Sequence, residues 1–254
     1  MRQHSDGSYG CFLIAAFVDI VLEAFEGIEF DTSDLECCYC TCLVSLLRAA
    51  RNVFGGAFPA SAFADFKCYR PELRGRAVVP ALASLAMGDR NAVDFMQAGH
   101  CELLKRAGAL DAACEVHYGE PLPRSKTLLG VMIDDRLSLT IDCGGAAGQA
   151  RRARADREWA AAMSAYGNSC GTSAPVKTCR HARVGRVWGA RLDGRRGIIG
   201  GPAERRTLLA VLSLRLALSG WGTANLARRI SSTWGFHLMF KREAVAFFKG
   251  IYEF

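Results

Sequence analysis

The sequence has no apolar run long enough to span a bilayer. Within its 254 residues, no stretch approaches the roughly 20 uncharged residues that a spanning helix needs. The most apolar segment, residues 11–25, is interrupted by Asp19 and Glu23 and lacks a small-residue cleavage site. It therefore predicts a buried helix rather than a signal peptide, and we expect no membrane partner. Glycine periodicity and sustained heptads are also missing, which excludes collagen-like and coiled-coil proteins.

The composition that is present is that of a folded domain. Half of the residues are apolar and 22% are charged. These fractions exclude intrinsic disorder, and the length suits one large domain or two small ones.

Hydrophobic spacing predicts both helices and strands, with an all-helical end. The predicted helices cover residues 11–25, 44–54, 89–106, 154–166, 203–218, 222–234 and 241–252. The predicted strands cover residues 27–39, 128–133 and 137–141, with two more between 176 and 192. This mixture predicts an α+β fold.

The cysteines follow no regular spacing, and several of them crowd into residues 37–42. We expect free thiols in a reducing compartment, the cytoplasm or the nucleus. Cys37 and Cys40 have half of a zinc-knuckle spacing, and Cys179 and His181 are the available partners. Because no second compact pair is present, small buried thiols are favoured over a metal site.

The net charge of +7 is distributed unevenly. In the first fifty residues, Arg2 and Arg48 face an acidic excess made of Asp6, Asp19, Glu23, Glu26, Glu29, Asp31, Asp34 and Glu36. The stretch 151–206 has the opposite sign, with Arg151, Arg152, Arg154, Arg157, Lys177, Arg180, Arg183, Arg186, Arg191, Arg195, Arg196, Arg205 and Arg206. Such a basic stretch suits a protein that holds a polyanion, and a solvated basic face gives the same pattern.

Two adjacent carboxylates, Asp134 and Asp135, stand at the tip of the predicted hairpin, after Met132 and Ile133. They repel each other unless a positive charge lies nearby. Mg²⁺ often supplies that charge, because it prefers oxygen ligands and keeps positions open for substrate phosphates. A two-metal site for phosphoryl transfer needs a third carboxylate on a neighbouring strand. On these residues alone, a solvated bend is the simpler interpretation.

A third carboxylate is found in residues 30–39, which resemble the palm motif of reverse transcriptases, especially those of gypsy-type and related retrotransposons. The residues at the positions of that motif are Phe30, Asp34, Leu35 and Tyr39. The resemblance implies that Asp34 binds metal and that Tyr39 lies under the sugar of the incoming nucleotide.

A second stretch, residues 88–97, is similar to the template- and nucleotide-contacting motif of the same family. Its matching residues are Gly88, Asn91, Ala92 and Gln97. Glycine lets a backbone approach a nucleotide closely, and the start of a helix offers free N–H groups. Taken alone, the stretch is equally well explained as a glycine-capped amphipathic helix. The resemblance implies nucleotide or template contacts for Gly88, Asn91 and Gln97.

Two later landmarks follow in the order of the family. Lys177 is similar to the lysine after the palm helix, which is implied to help protonate the leaving pyrophosphate. Residues 187–189 look like the primer-grip hairpin, so Trp188 and Gly189 are implied to hold the primer. Considered separately, the first is an ordinary surface lysine and the second a core aromatic residue.

The resemblance implies an RNA-directed DNA polymerase (reverse transcriptase) of a retroelement. Its fold would be an α+β polymerase palm, a small antiparallel sheet packed on helices, with a C-terminal helical thumb-like region and truncated fingers. The implied division is residues 1–29 for an N-terminal helical segment (residual fingers), 30–202 for the palm and 203–254 for the thumb-like region.

The implied chemistry is template-primed nucleotidyl transfer by a two-metal mechanism. The implied catalytic residues are Asp34, Asp134, Asp135 and Lys177, and the three aspartates would bind Mg²⁺ or Mn²⁺. The implied partners are an RNA or DNA template-primer and deoxynucleoside triphosphates.

The sequence departs from the family pattern in several places. Met132 replaces an aromatic residue, Ala86 replaces a proline, and residues 58–74 form an apparent insertion. Arg2 is the one base before Asp34, so a partner chain or an upstream segment is expected to supply the fingers. Two alternatives stay open: a truncated, catalytically inactive relic that only binds nucleic acid, and an unrelated α+β protein.

Overall fold

The computed structural model describes residues 9–89, 91–169 and 172–245. Its helices are α1 (Tyr9–Ala16), α2 (Cys38–Thr41), α3 (Leu46–Ala49), α4 (Ala92–Arg106), α5 (Gly145–Asn168), α6 (Ala203–Ser219), α7 (Ala224–Leu238) and α8 (Arg242–Val245). Its strands are β1 (Gly27–Glu36), β2 (Phe58–Pro59), β3 (Ala77–Val78), β4 (Thr127–Met132), β5 (Asp135–Asp142), β6 (Thr172–Ser173), β7 (Cys179–Ala182), β8 (Val184–Val187), β9 (Ala190–Asp193) and β10 (Ile198–Gly200). The predicted α+β class is confirmed.

The main sheet is antiparallel and has β1 in its centre. β4 and β5 form the predicted hairpin, β5 pairs with β1, and both β6 and β7 pair with the other edge of β1. Both long strands alternate apolar and polar side chains, which is the period of a strand whose two faces differ. β1 and β5 therefore present one mainly apolar and one mainly polar face, whereas β4 is apolar on both.

The apolar face carries the first core. Phe30 on β1 and Leu137 and Leu139 on β5 are almost fully buried there, together with Ile14 of α1 and Leu192 of β9. A second core lies between the hairpin and helices α4 and α5, where Leu129, Met96 and Tyr166 are buried.

The polar face of the sheet is also buried, because α5 lies across it. Its members Glu29, Asp31 and Arg136 are at most 5% exposed. The Arg136 guanidinium stands 5.8 Å from the centre of the Trp159 ring on α5. Buried charges need partners, and Glu29 and Asp31 form ion pairs with α5 and with the segment around β7. Both Nη atoms of Arg136 have no hydrogen-bond partner among the described residues, so its ring contact with Trp159 is the interaction seen there.

A smaller sheet, β8–β9–β10, follows the main one and leads into α6 and α7. α6 begins at Ala203, next to the predicted boundary after residue 202. The predicted end of the last helix, residues 246–252, lies outside the described residues. No helix in the described ranges has the length and apolarity to cross a bilayer.

Several boundaries differ from the predictions. The helix expected over residues 11–25 ends at Ala16 and continues as a single 3-10 turn, Phe17–Asp19. β1 begins at Gly27, so the segment 1–29 is not helical throughout. The helix expected over 44–54 is reduced to α3. Residues 58–74 begin a loop excursion, closed by the short β2–β3 ladder.

Candidate active site

The three predicted carboxylates lie together at one end of the main sheet. In the register of β1 and β5, Asp34 faces Asp135 directly. The Leu35 N–H donates to the Asp134 carbonyl over 3.0 Å, which fixes the hairpin tip beside β1. Asp34 is 5% exposed. Residues a hundred positions apart in the sequence therefore share one partly buried acidic centre.

This centre has more negative charge than its surroundings compensate. Burial, followed by the charges of Asp134 and Asp34, raises the pKa of Asp135 to about 7. Burial and the charge of Asp34 also raise the pKa of Asp134. A carboxyl whose pKa rises in this way binds a cation or retains a proton more readily than an exposed one.

Lys177 supplies the one positive charge in direct contact with the centre among the described residues. It ends the 3-10 turn Pro175–Lys177, and its Nζ lies 2.6 Å from Oδ2 of Asp34. The hydrogen bond to Asp34 raises the pKa of Lys177. Two bonds dock this turn on β1: the Ala174 N–H donates to the Asp34 carbonyl, and the Thr32 hydroxyl donates to the Lys177 carbonyl.

The chemistry of the donor set fits Mg²⁺ or Mn²⁺. Carboxylate oxygens are the ligands that Mg²⁺ prefers, and the raised pKa values of Asp134 and Asp135 indicate uncompensated charge. Across residues 9–89, 91–169 and 172–245, however, no group of three His, Cys, Asp or Glu side chains stands close enough to hold one ion. As arranged here, Asp34 is paired with Lys177, so a cation shared by all three carboxylates requires rearrangement of their side chains.

The hairpin tip has a strained backbone. Ile133 has a φ of +56°, a left-handed conformation that β-branched residues rarely adopt and that costs about 1–3 kcal/mol. The Gln97 side chain of α4 holds this turn: its Oε1 accepts from the Ile133 N–H at 2.7 Å, and its Nε2 donates to the Val131 carbonyl at 2.9 Å. Gln97, predicted as a nucleotide or template contact, is thus bonded to the hairpin.

Of the other predicted nucleotide contacts, Tyr39 lies near this tip, and Gly88 and Asn91 lie at the entrance to α4. Tyr39 follows β1 in α2; burial raises its pKa, and the charges of Cys38 and Asp134 add to the increase. Gly88 lies in a turn at a φ of +93°, with open space around its Cα. Asn91 is exposed at the start of α4, and its side chain does not cap the helix.

Trp188 and Gly189 form the two-residue turn between β8 and β9, with φ values of +47° and +82°. The Trp188 ring stacks on Phe17 at 6.1 Å and packs on Gly130 of β4. It also lines a cavity of about 520 Å³ bordered by Gln97 and Met132. The predicted primer-grip turn therefore rests against the first strand of the hairpin.

The basic stretch 151–206 divides into two parts with different partners. Five arginines of the first part are bonded to acidic residues of β1, β5, α5 and their connections: Arg151, Arg152, Arg154, Arg180 and Arg183. In the part of the chain that the structure describes, no ion pair is formed by Arg157 of the first part or by the arginines of the second part: Arg186, Arg191, Arg195, Arg196, Arg205 and Arg206. Three of these, Arg191, Arg196 and Arg206, line a cleft of about 250 Å³ between β9, β10 and the start of α6.

The cysteines form no metal site within the described ranges. The expectation of buried thiols is confirmed for Cys38 and wrong for Cys37 and Cys40, which are exposed. The turn into α2 points both of these side chains outward.

The sequence analysis missed His100 and Tyr166. His100 is 2% exposed on α4, and its ring nitrogens lie 2.8 Å from the Ile133 carbonyl and 2.9 Å from the Tyr166 hydroxyl on α5. A histidine three residues after Gln97 lies on the same face of the helix, which is the signal that could have drawn attention to it.

Comparison with known protein families and with curated proteins finds no match.

Proposed function

We propose that this chain carries the palm of an RNA-directed DNA polymerase of the reverse-transcriptase type. The observation that carries the proposal is the cross-strand pairing of Asp34 with Asp135, beside the tip that holds Asp134. A chance pair of aspartates in a solvated bend has no reason to lie opposite the one aspartate that a separate motif singles out.

The order of the elements supports the same proposal. β1 carries Asp34, α4 follows, the β4–β5 hairpin carries Asp134 and Asp135, and α5 leads to the Lys177 turn and back to β1. In this proposal the main sheet with α4 and α5 is the palm, β8–β9 is the primer grip, and α6 and α7 belong to the thumb.

In this function, Asp34, Asp134 and Asp135 hold Mg²⁺ or Mn²⁺. Bound metal supplies Lewis-acid stabilisation of phosphate charge and lowers the pKa of an attacking hydroxyl. The protein itself contributes the rigid register of β1 and β5, which fixes the spacing of the carboxylates. It also contributes Lys177, whose ammonium lies at the same centre and can donate a proton to a leaving phosphate oxygen.

The nucleic-acid partner, an RNA or DNA template-primer, is assigned to the arginines of the smaller sheet and α6. Arg191, Arg196 and Arg206 have no ion pair in the described chain, so their charges are available to phosphates. Five arginines of the first part are paired with carboxylates and stabilise the fold instead: Arg151, Arg152, Arg154, Arg180 and Arg183.

A second function, nucleic-acid binding without catalysis, is favoured by one observation. Lys177 forms an ion pair with Asp34, and no three acidic side chains of the described chain stand close enough together to bind one metal ion. In this alternative the arginine surface still binds nucleic acid, but the acidic centre does not catalyse polymerisation.

Primer extension on a homopolymer RNA template, with Mg²⁺ or Mn²⁺, separates the two functions. We expect extension by the unaltered chain, alone or with the upstream segment that would supply the fingers, and a loss of about 10³-fold in Asp34→Asn and Asp134→Asn, because several kcal/mol of charge stabilisation disappear. Binding of template-primer should change by less than about threefold, because these carboxylates do not contact phosphates.

Asp65→Asn is the matched control, since Asp65 is exposed on the excursion 58–74. It should extend primers as the unaltered chain does. Salt-sensitive binding without extension by any form supports the non-catalytic alternative. Loss of binding together with extension in Asp34→Asn would show that the carboxylates are structural and contradict the proposal.

A further inference from the structure

The tip that carries Asp134 is held in an unfavourable backbone conformation from one side. Ile133 has a positive φ, and its N–H and C=O both bond to side chains of α4. Gln97 accepts the hydrogen bond from the N–H, and His100 donates one to the C=O. The two residues are three positions apart, so they project from the same face of the helix.

The hydrogen bonds fix the state of the His100 ring. A carbonyl only accepts, so Nδ1 carries the proton and donates to Ile133 over 2.8 Å. Nε2 is then an acceptor and receives the Tyr166 hydroxyl over 2.9 Å. Burial lowers the pKa of His100 to about 4, which keeps the ring neutral. The Ile133 carbonyl therefore sets the tautomer, and the Tyr166 hydroxyl supplies the donor that this tautomer needs at Nε2.

The Ile133 carbonyl belongs to the peptide unit that also contains the Asp134 N–H. Fixing the direction of that carbonyl fixes the plane of the peptide and the direction in which Asp134 leaves the turn. Without the bond, a β-branched residue at positive φ would relax toward a favoured conformation. The peptide would then rotate and move Asp134 relative to Asp34.

We infer that His100, supported by Tyr166, is a positioning residue that sets the Asp134–Asp135 tip for cation binding through the Ile133 carbonyl. This inference rests on the proposed function for its consequence, since the tip matters only if the carboxylates act. Its geometric part, that His100 maintains the turn, is independent of that function.

Two substitutions separate positioning from packing. His100→Asn keeps a donor at the distance of Nδ1 from Cα but removes ring volume. His100→Leu keeps apolar volume but removes the donor. If His100 only fills space, Leu is the better substitute in every measurement. If it positions the tip, Asn is the better substitute at the site even where the fold is less stable.

The measurements are amide hydrogen exchange at residues 133–135 and Mn²⁺ affinity by electron paramagnetic resonance. We expect His100→Leu to speed exchange at the tip and weaken Mn²⁺ binding by at least about tenfold, whereas His100→Asn stays within about threefold of the unaltered chain. Equal effects of the two substitutions, or tighter Mn²⁺ binding by His100→Leu, would overturn the inference.

Tyr166→Phe covers the case in which His100→Leu does not fold. It keeps His100 but leaves Nε2 as a buried acceptor without a donor, which weakens the hold on the ring, so amide exchange at residues 133–135 should rise at least about threefold; unchanged exchange would overturn the inference. If the unaltered chain binds no Mn²⁺ and extends no primer, the proposed function fails. The relative rates of amide hydrogen exchange at residues 133–135 in the His100 variants then still test whether His100 holds the turn.

Discussion

At the scale of single residues, the ionised form of Asp135 destabilises the folded chain. Its pKa is raised to about 7, chiefly by burial, so between about pH 4 and pH 7 the unfolded chain is ionised there while the folded chain retains a proton. Stability therefore falls as the pH rises through this window. We expect Asp135→Asn to raise the free energy of unfolding by about 1–2 kcal/mol at pH 8 and to have little effect near pH 3.5.

Urea denaturation at the two pH values measures this difference. Asp111→Asn is a suitable comparison, because Asp111 is half-exposed and paired with Arg154, so its loss should not stabilise the chain. A pH-independent effect of Asp135→Asn would mean that the residue is not held protonated in the folded chain.

The residues of the acidic centre could be predicted because each lies in a recognisable short stretch of sequence. An Asp pair between two apolar runs indicates a hairpin tip, and the resemblance of the residues around Asp34 to a polymerase motif predicted a third carboxylate beside it. The roles of Ile133 and His100 could not be predicted in this way. A positive φ at a β-branched residue and a buried histidine that holds it depend on two helices and a hairpin meeting, and no spacing along the chain encodes that meeting.

At the scale of elements, Gly130 determines how the hairpin meets the smaller sheet. A Cβ at this position would overlap the six-membered ring of Trp188. We expect Gly130→Ala to destabilise the chain by about 1–3 kcal/mol through overpacking and to alter Trp188 fluorescence. Gly99→Ala on α4 is the control, because its Cβ meets open space and a helical alanine stabilises by about 0.5–1 kcal/mol. Equal effects of both would show that the Trp188 contact does not constrain the hairpin.

The second half of the basic stretch is an element with a separate prediction. The double variant Arg191→Gln/Arg196→Gln should weaken template-primer binding and reduce the slope of log K against log salt by about 1–2, because each phosphate that the protein neutralises adds about 0.9 to that slope. Arg106→Gln is the control, because Arg106 is exposed and paired with Glu102. An unchanged slope in the double variant would remove the smaller sheet from the nucleic-acid interface.

At the scale of the whole molecule, about half of the charge asymmetry of the sequence is neutralised within the fold. The acidic first fifty residues and the first half of the basic stretch meet across the polar face of the sheet, where Glu29 and Asp142 are bonded to both Arg152 and Arg183. The charge of the stretch 151–206 predicted either a surface that binds a polyanion or a solvated basic face. It could not predict which arginines form ion pairs in the folded chain, because that depends on the register of β1 and β5 and on the placement of α5.

This network makes a prediction about cooperativity. Although burial raises the pKa of Glu29, the hydrogen bonds from Arg152 and Arg183 lower it overall, so the network stabilises the folded chain above about pH 4.5 and loses this effect as the pH falls through the folded pKa.

Each single substitution, Arg152→Gln or Arg183→Gln, leaves one guanidinium on both carboxylates and should cost about 1 kcal/mol. The double variant leaves Glu29 buried without a cation and should cost about 3–5 kcal/mol. A double-mutant cycle by urea denaturation at pH 7 should therefore give a coupling of about 1–3 kcal/mol, and the coupling should shrink as the pH falls through the lowered folded pKa of Glu29. Additive costs at pH 7 would mean that the two arginines act separately and that β1 is not held to α5 through a shared charge.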